Sequence, residues 1–176
     1  MAKRVLLFML AATLVSADGP VLKTGQTQSY YAGDDGTYQK GLPRSYSRTQ
    51  SGVVKDLTTG LEWQDEMVND NNISWHDAQT YCKGLQLDGG GWRLPTIREW
   101  RTIVDASQGH PAVDPVFLNM QGNVNYWCET TAAWDSGRAW YVFSQNAVEG
   151  INSKTATDYA SVTEMNVRCV RESGVI

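Results

Sequence analysis

The stretch Gly89-Gly90-Gly91-Trp92-Arg93-Leu94-Pro95-Thr96-Ile97-Arg98-Glu99-Trp100 compresses a turn, a short strand and a helix start into twelve residues. The three glycines suit backbone angles that a side chain forbids. Trp92 and Leu94 alternate with Arg93, and Pro95 ends the strand while biasing Leu94 to an extended backbone. Thr96 and Glu99 have the spacing of a capping box, in which the threonine oxygen accepts from the amide of Glu99 and the carboxylate reaches back to the amide of Thr96. Ile97, Trp100, Ile103 and Val104 then recur at helical spacing, which predicts a helix over residues 97–105 with one apolar face.

Upstream, Ser74 and Asp77 repeat the capping logic and open a helix over 75–85, with Trp75, Ala78, Tyr81, Cys82 and Leu85 on its apolar face. Residues 53–57 and 61–64 read as two short strands around Thr58-Thr59-Gly60, and 46–54 reads as an edge strand. Residues 67–73 read as a loop. Downstream, a loop carries Pro111 and Pro115, with Phe117 as a core plug. Strands are predicted at 125–130, 139–144 and 166–171, with another near 150–155. Turns fall at Asp135-Ser136-Gly137 and Glu149-Gly150. Two helices followed by a run of strands argue α+β rather than alternating α/β.

Four pieces together carry a family resemblance: Asp56-x-x-Thr59-Gly60-Leu61-x-Trp63-Gln64, Trp75-x-x-Ala78-x-x-Tyr81-Cys82, Trp92-Arg93-Leu94-Pro95-Thr96-x-x-Glu99-Trp100, and Val167-Arg168-Cys169-Val170-Arg171. In this order they resemble the Lcl C-terminal domain family, also called DUF1566, over roughly residues 50–172. The resemblance implies a C-type lectin-like, formylglycine-generating-enzyme-like domain with two helices and a small, mostly antiparallel sheet. It divides the chain into a signal peptide at 1–17, an N-terminal arm at 18–50 and the family domain at 51–173. The arm is polar, and its turn Gly33-Asp34-Asp35-Gly36 also recurs in the family. The arm is therefore expected to pack on the domain through Tyr30, Tyr31, Tyr38 and Tyr46. The lectin-like fold joins the first helix to the last strand, which implies a Cys82–Cys169 disulfide. Cys128 stands where relatives often carry serine, and it reads either as a small buried residue or as a free thiol able to form a disulfide dimer.

Residues 1–17 have the marks of a secretory signal: Lys3 and Arg4, an apolar run from Val5 to Val15, and small residues before Asp18. The expected destination is the periplasm or the outside, where a disulfide persists. The apolar run is too short to span a bilayer comfortably, and no later stretch is long and apolar enough. Loss of residues 1–17 removes two basic residues and no acid, taking the formal charge from −4 to −6. An acidic chain is a poor partner for nucleic acid or an anionic membrane.

The signals for catalysis are weak. His76 and His110 are the only histidines, and two do not fill a three-histidine zinc site. Formylglycine-generating enzymes use a pair of late cysteines, whereas here only Cys169 is late, and the resemblance commits it to a structural bridge. No cofactor is implied apart from calcium, for which Asp34 and Asp35, or Asp70, Asn71 and Asn72, offer hard oxygen atoms. Neither set matches an EF-hand loop, and the same residues read more readily as solvated turns. Glu99 reads as a cap, Arg93 as the partner of a buried carboxylate or carbonyl, and one of Arg168 and Arg171 as a member of a buried ion pair. Of the seven tryptophans, Trp134 sits in a polar loop beside Asp135 and Arg138. An exposed indole there suits stacking on a sugar or anchoring a protein.

The chain therefore reads as an exported, non-catalytic recognition module of adhesin type for a glycan or an extracellular or envelope protein. A family relative, part of a collagen-like bacterial adhesin that binds sulfated polysaccharides, agrees with that class. The alternatives are an envelope or pilus-associated structural subunit and a formylglycine-generating type of oxidase.

Overall fold

The computed structural model describes residues 20–66, 72–159 and 163–174. The signal-peptide reading and the calcium candidates Asp70 and Asn71 lie outside these residues. Three helices, α1 (Asp35–Tyr38), α2 (Trp75–Gly84) and α3 (Ile97–Ile103), accompany nine strands. The strands are β1 (Tyr46–Arg48), β2 (Val53–Asp56), β3 (Leu61–Gln64), β4 (Asn125–Ala132), β5 (Asp135–Phe143), β6 (Val148–Ser153), β7 (Asp158–Tyr159), β8 (Thr163–Asn166) and β9 (Val170–Glu172). The class is α+β, but with two sheets rather than one. The first runs β1-β2-β3-β9 and is antiparallel throughout. The second runs β6-β5-β4-β8-β7, with β4 and β8 parallel and the other pairs antiparallel.

Both helices begin where their caps place them. Thr96 and Glu99 form the complete capping box. Ser74 accepts from the amide of Asp77, but the Asp77 carboxylate receives the Ser74 hydroxyl instead of reaching the backbone. Gly89, Gly90 and Gly91 have φ of +100°, +79° and +81°, so the turn needs residues without a Cβ. The short strand expected at Trp92–Leu94 is reduced to one bridge, with Arg93 and Val170 exchanging both backbone bonds at 2.9 Å.

Two apolar clusters lie on opposite sides of the strands. Val54, Trp63, Tyr126 and Cys128 belong to the cluster under α3, and Val53, Trp127 and Cys169 to the cluster under α2. Successive residues of a strand point to opposite faces, and in β3 both faces are buried: Leu61 and Trp63 join the cluster under α3, while Glu62 pairs with Arg171 and Gln64 with Tyr81. Phe117 is buried and packs edge-on against Trp63 and Tyr46. The Cys82–Cys169 disulfide is present, with Cα atoms 5.5 Å apart. Among the described residues no helix is long and apolar enough to cross a membrane.

Several boundaries differ from those predicted. The strand expected over 166–171 is two strands, β8 and β9, separated by 167–169, where the chain passes from one sheet to the other. Arg168 lies in that crossing, paired to Asp65 at 2.9 Å with both side chains almost fully buried. The turns expected at Asp135–Gly137 and Glu149–Gly150 fall instead at 133–134 and 144–147, and the expected turn residues belong to β5 and β6. Hydrogen bonding of the hairpins outweighs the turn preference of the glycines.

The arm touches the domain through its backbone and through Arg44, Tyr46 and Arg48. Thr24 accepts from the amide of Ala106 at 2.8 Å, and Arg44 donates to the carbonyls of Thr102 and Val104 at the end of α3. Of the four tyrosines expected to anchor it, Tyr46 packs on the core, whereas Tyr30, Tyr31 and Tyr38 are exposed. The reason is local: the turn around Asp34 closes on itself and leaves its rings facing solvent.

Candidate functional site

The best-formed candidate is the tip of the β4–β5 hairpin. Trp134 is 71 % exposed, alone among the tryptophans in being exposed, and forms a two-residue turn with Ala133. Thr131 pairs with Ala139, yet the next residue, Ala132, pairs with Asp135. Residues 136–138 therefore bulge from the ladder, and such a bulge re-aims the strand end and its side chains. Asp135 holds the bulge: its carboxylate accepts from the Gly137 amide at 2.9 Å and from Arg138 Nε at 3.1 Å. A Cβ on Gly137 would approach that carboxylate to 3.2 Å, so a side chain there would press on the Asp135 contact.

The neighbouring segment steadies the tip. Lys154 donates its amide to the Gly137 carbonyl at 2.9 Å and its ammonium to Thr131 at 2.9 Å. The same ammonium lies 4.0 Å from the centre of the Trp75 ring, and the Trp75 amide donates to the Lys154 carbonyl at 3.1 Å. The hairpin is thereby tied to the first turn of α2. The result is a fixed surface with one large exposed ring and an Asp–Arg pair whose charges cancel. It offers stacking and hydrogen bonding.

The other sequence candidates have other employment. Asp34 accepts from the amides of Tyr30, Tyr31 and Thr37, the Thr37 hydroxyl and the Gln26 side chain. These donors, the Tyr30 amide first, hold its carboxyl well below the usual carboxylate range, and they make it the N-cap of α1. Asp35 occupies the exposed first turn of that helix, and Asn72 is an exposed left-handed residue with φ of +67°. Neither lies near Trp134 in the network just described. Among the described residues no group of three His, Cys, Asp or Glu side chains is placed to hold a metal ion. His76 and His110 are exposed.

Cys128 is fully buried, with burial first and the nearby carboxylates of Glu149 and Glu99 next in pushing its thiol pKa up. A buried protonated thiol is neither nucleophilic nor open to a second chain, so the geometry favours the packing reading over the disulfide-dimer reading. The oxidase reading also loses its second cysteine, because Cys169 is bonded to Cys82.

Arg93 and Glu99 pair in bidentate fashion at 2.8 and 2.6 Å. Burial pushes the Glu99 carboxyl up, but hydrogen bonds from Arg93 and from the Thr96 amide outweigh it, and the net direction is down. Arg171 pairs with Glu62, lies 4.5 Å over the Trp92 ring and donates to the carbonyls of Leu87, Asp88 and Gly90. These arginines are structural clamps on the glycine turn.

Sequence reasoning missed one surface. An open groove of about 1550 Å³ runs along α3, between the arm at Leu22–Thr24 and the turn at Thr59-Gly60. Its walls come from segments far apart in the chain, so no local pattern announces it. Arg98 and Arg101, three residues apart on the exposed side of α3, are the one legible trace.

Comparison with curated proteins and with solved structures returns no match. The Lcl C-terminal domain matches residues 52–171, a span that contains α2, α3, both disulfide cysteines and the Trp134 hairpin. That match extends over most of the sequence, and the chain belongs to the Lcl C-terminal domain family.

Proposed function

We propose that this protein is an exported, non-catalytic recognition module that meets a glycan or a surface protein through the β4–β5 hairpin. The observation that carries the reading is Trp134, 71 % exposed on a turn held in place by Asp135, Arg138 and Lys154. An apolar ring left in water lowers nothing in the free protein, but it contributes strongly when a partner covers it. A rigid carrier adds to this, because little conformational freedom is lost on binding. The disulfide suits an oxidising compartment. The pairing of β3 with β9 beside a disulfide from α2 to the residue just before β9 supports a lectin-like arrangement.

The test is a glycan-array and extracellular-matrix screen of residues 18–176, run with calcium and with chelator. Saturable binding that falls about tenfold or more in W134A, a typical loss for an aromatic anchor, supports the reading. Loss in chelator would add a calcium requirement. Binding unchanged in W134A would move the contact elsewhere. No binding in either condition would favour a structural subunit of an envelope assembly.

A further inference from the structure

Residues 26–40 precede the matched family segment and fold largely on themselves. Asp34 is their hub, accepting from Gln26 Nε2 at 2.7 Å, from the Tyr30, Tyr31 and Thr37 amides at 2.8, 3.1 and 2.9 Å, and from the Thr37 hydroxyl at 3.0 Å. The Ser29 and Thr37 hydroxyls meet at 2.7 Å. Gly36 is packed so closely that a Cβ would lie 2.2 Å from the Gln28 carbonyl oxygen. The directional polar groups are thus committed to the shape of the loop. What the loop turns outward is aromatic: Tyr30 is 77 %, Tyr31 81 % and Tyr38 59 % exposed. A loop closed by this many bonds does not need three outward rings in order to fold. Tyrosines on a fixed backbone among Ser, Gly, Thr and Gln give a large amphipathic contact area at low entropic cost, which is the composition of protein-contacting loops.

We propose that this loop is a self-association surface, on which the tyrosines of one copy pack against those of a second copy across a two-fold axis. The charges argue for that occupant. Asp34, Asp35 and Lys40 are the only charged residues of the segment. Asp34 is engaged internally. Asp35 begins α1, and Lys40 lies past its end with its ammonium 5.2 Å from the centre of the Tyr38 ring. In a two-fold contact any pairing is made twice, so in the proposed dimer one meeting of Asp35 with the partner's Lys40 brings the reciprocal meeting with it. A patch with one acid and one base exerts little pull on a polyanion or an anionic membrane. A sugar site needs convergent polar groups, and here Gln26, Ser29, Asp34 and Thr37 are spent on one another and on the loop backbone.

The segment spans fifteen residues, fewer than the roughly 20–30 a side of a stable interface, so the dimer is weak and concentration-dependent. Its use is bivalency: a pair of copies presents two Trp134 hairpins, and linked sites gain apparent affinity without any new contact.

Sedimentation equilibrium of the purified exported chain, from micromolar to millimolar concentration, tests this. A reversible monomer–dimer equilibrium is expected, weakened about tenfold or more in Y30S/Y31S/Y38S, the usual scale for removing aromatic anchors. D35K and K40D should each weaken it alone, by putting like charges opposite, and their mixture should restore it. Circular dichroism verifies that the variants fold, and the charge-swap mixture decides the matter if the tyrosine variant does not. A monomer at every concentration overturns the proposal. So does a dimer indifferent to the tyrosines, and so does retention of the monomer by a neutral polysaccharide gel that the tyrosine variant abolishes. None of these outcomes depends on Trp134.

Discussion

Residues 89–100 and residues 131–138 are both tight reversals of the chain, and both carry a tryptophan and an arginine–carboxylate pair, yet they do opposite things with them. In the first, Trp92 is 2 % exposed beneath the Arg171 guanidinium, and Arg93 grips both oxygens of Glu99. In the second, Trp134 is 71 % exposed and Arg138 reaches one oxygen of Asp135. The first turn joins both sheets: Arg93 bridges to Val170, Pro95 accepts from the amide of Glu129, and the Ile97 amide donates to Thr130. The second turn ends in solvent. The same residue types therefore make a foundation where their polar groups close on the chain itself, and a contact surface where they do not.

The comparison is tested most severely at the closures around the first turn. C82A/C169A removes a bridge between residues separated by 87 positions. In the chain-entropy picture the loss is about 4–5 kcal/mol, and denaturant unfolding of the oxidised wild type against the variant measures it. A loss under about 1 kcal/mol would mean that the bridge constrains little beyond what the sheets already fix. R168M comes next. It leaves Asp65 buried with Arg48 as its remaining cation at 3.1 Å, and the expected destabilisation is about 3 kcal/mol, the low end for breaking a buried pair.

Acid provides a third test. The Glu62 and Glu99 carboxyls are both held below their ordinary value of 4.5, the hydrogen bonds from their arginine partners outweighing the opposing effect of burial. The native state then binds fewer protons than the unfolded chain, so their contribution is complete above that value and is lost as pH falls through the lower folded values. Stability should be level near neutrality and decline below about pH 4.5. E99Q should lower the neutral plateau by about 1–2 kcal/mol, through the cap and the charged hydrogen bonds, and should flatten part of the acid slope. An unchanged slope would dissociate Glu99 from acid sensitivity.

The smallest effect is expected at the second turn. W134A should shift stability by no more than about 0.5 kcal/mol while reducing ligand binding. If thermal unfolding showed a large loss instead, Trp134 would be part of the foundation and the contrast between the two turns would fail.

Much of the foundation was legible because its rules are local. The Thr96–Glu99 box, the glycine turn and the apolar face of α2 each lie within one short window, and caps and periodicity act over that range. The Cys82–Cys169 bridge was legible only through the family resemblance. The break between β8 and β9 was not legible, because Val167-Arg168-Cys169 alternates like a strand and only the burial of Arg168 against Asp65, about a hundred residues away, reveals the crossing. The turn at Ala133-Trp134 was hidden for a related reason. Asp135-Ser136-Gly137 is better turn chemistry, but the cross-strand register of β4 and β5 decided. Tyr30, Tyr31 and Tyr38 were misplaced because an aromatic residue suggests burial, and nothing in the spacing shows that Asp34 would close the loop before the rings reached the core.

The crossing at 167–169 also sets an order of events. The β3–β9 pairing, the Arg93–Val170 bridge, the Cys82–Cys169 bond and the Asp65–Arg168 pair all draw on residues 168–172. A chain that emerges from its N-terminus thus carries β1, β2, β3 and two helices, each with one buried tryptophan, before the strand that locks them. The fastenings wait for residues 168–172. A product that stops before Val167 forfeits every one of these fastenings.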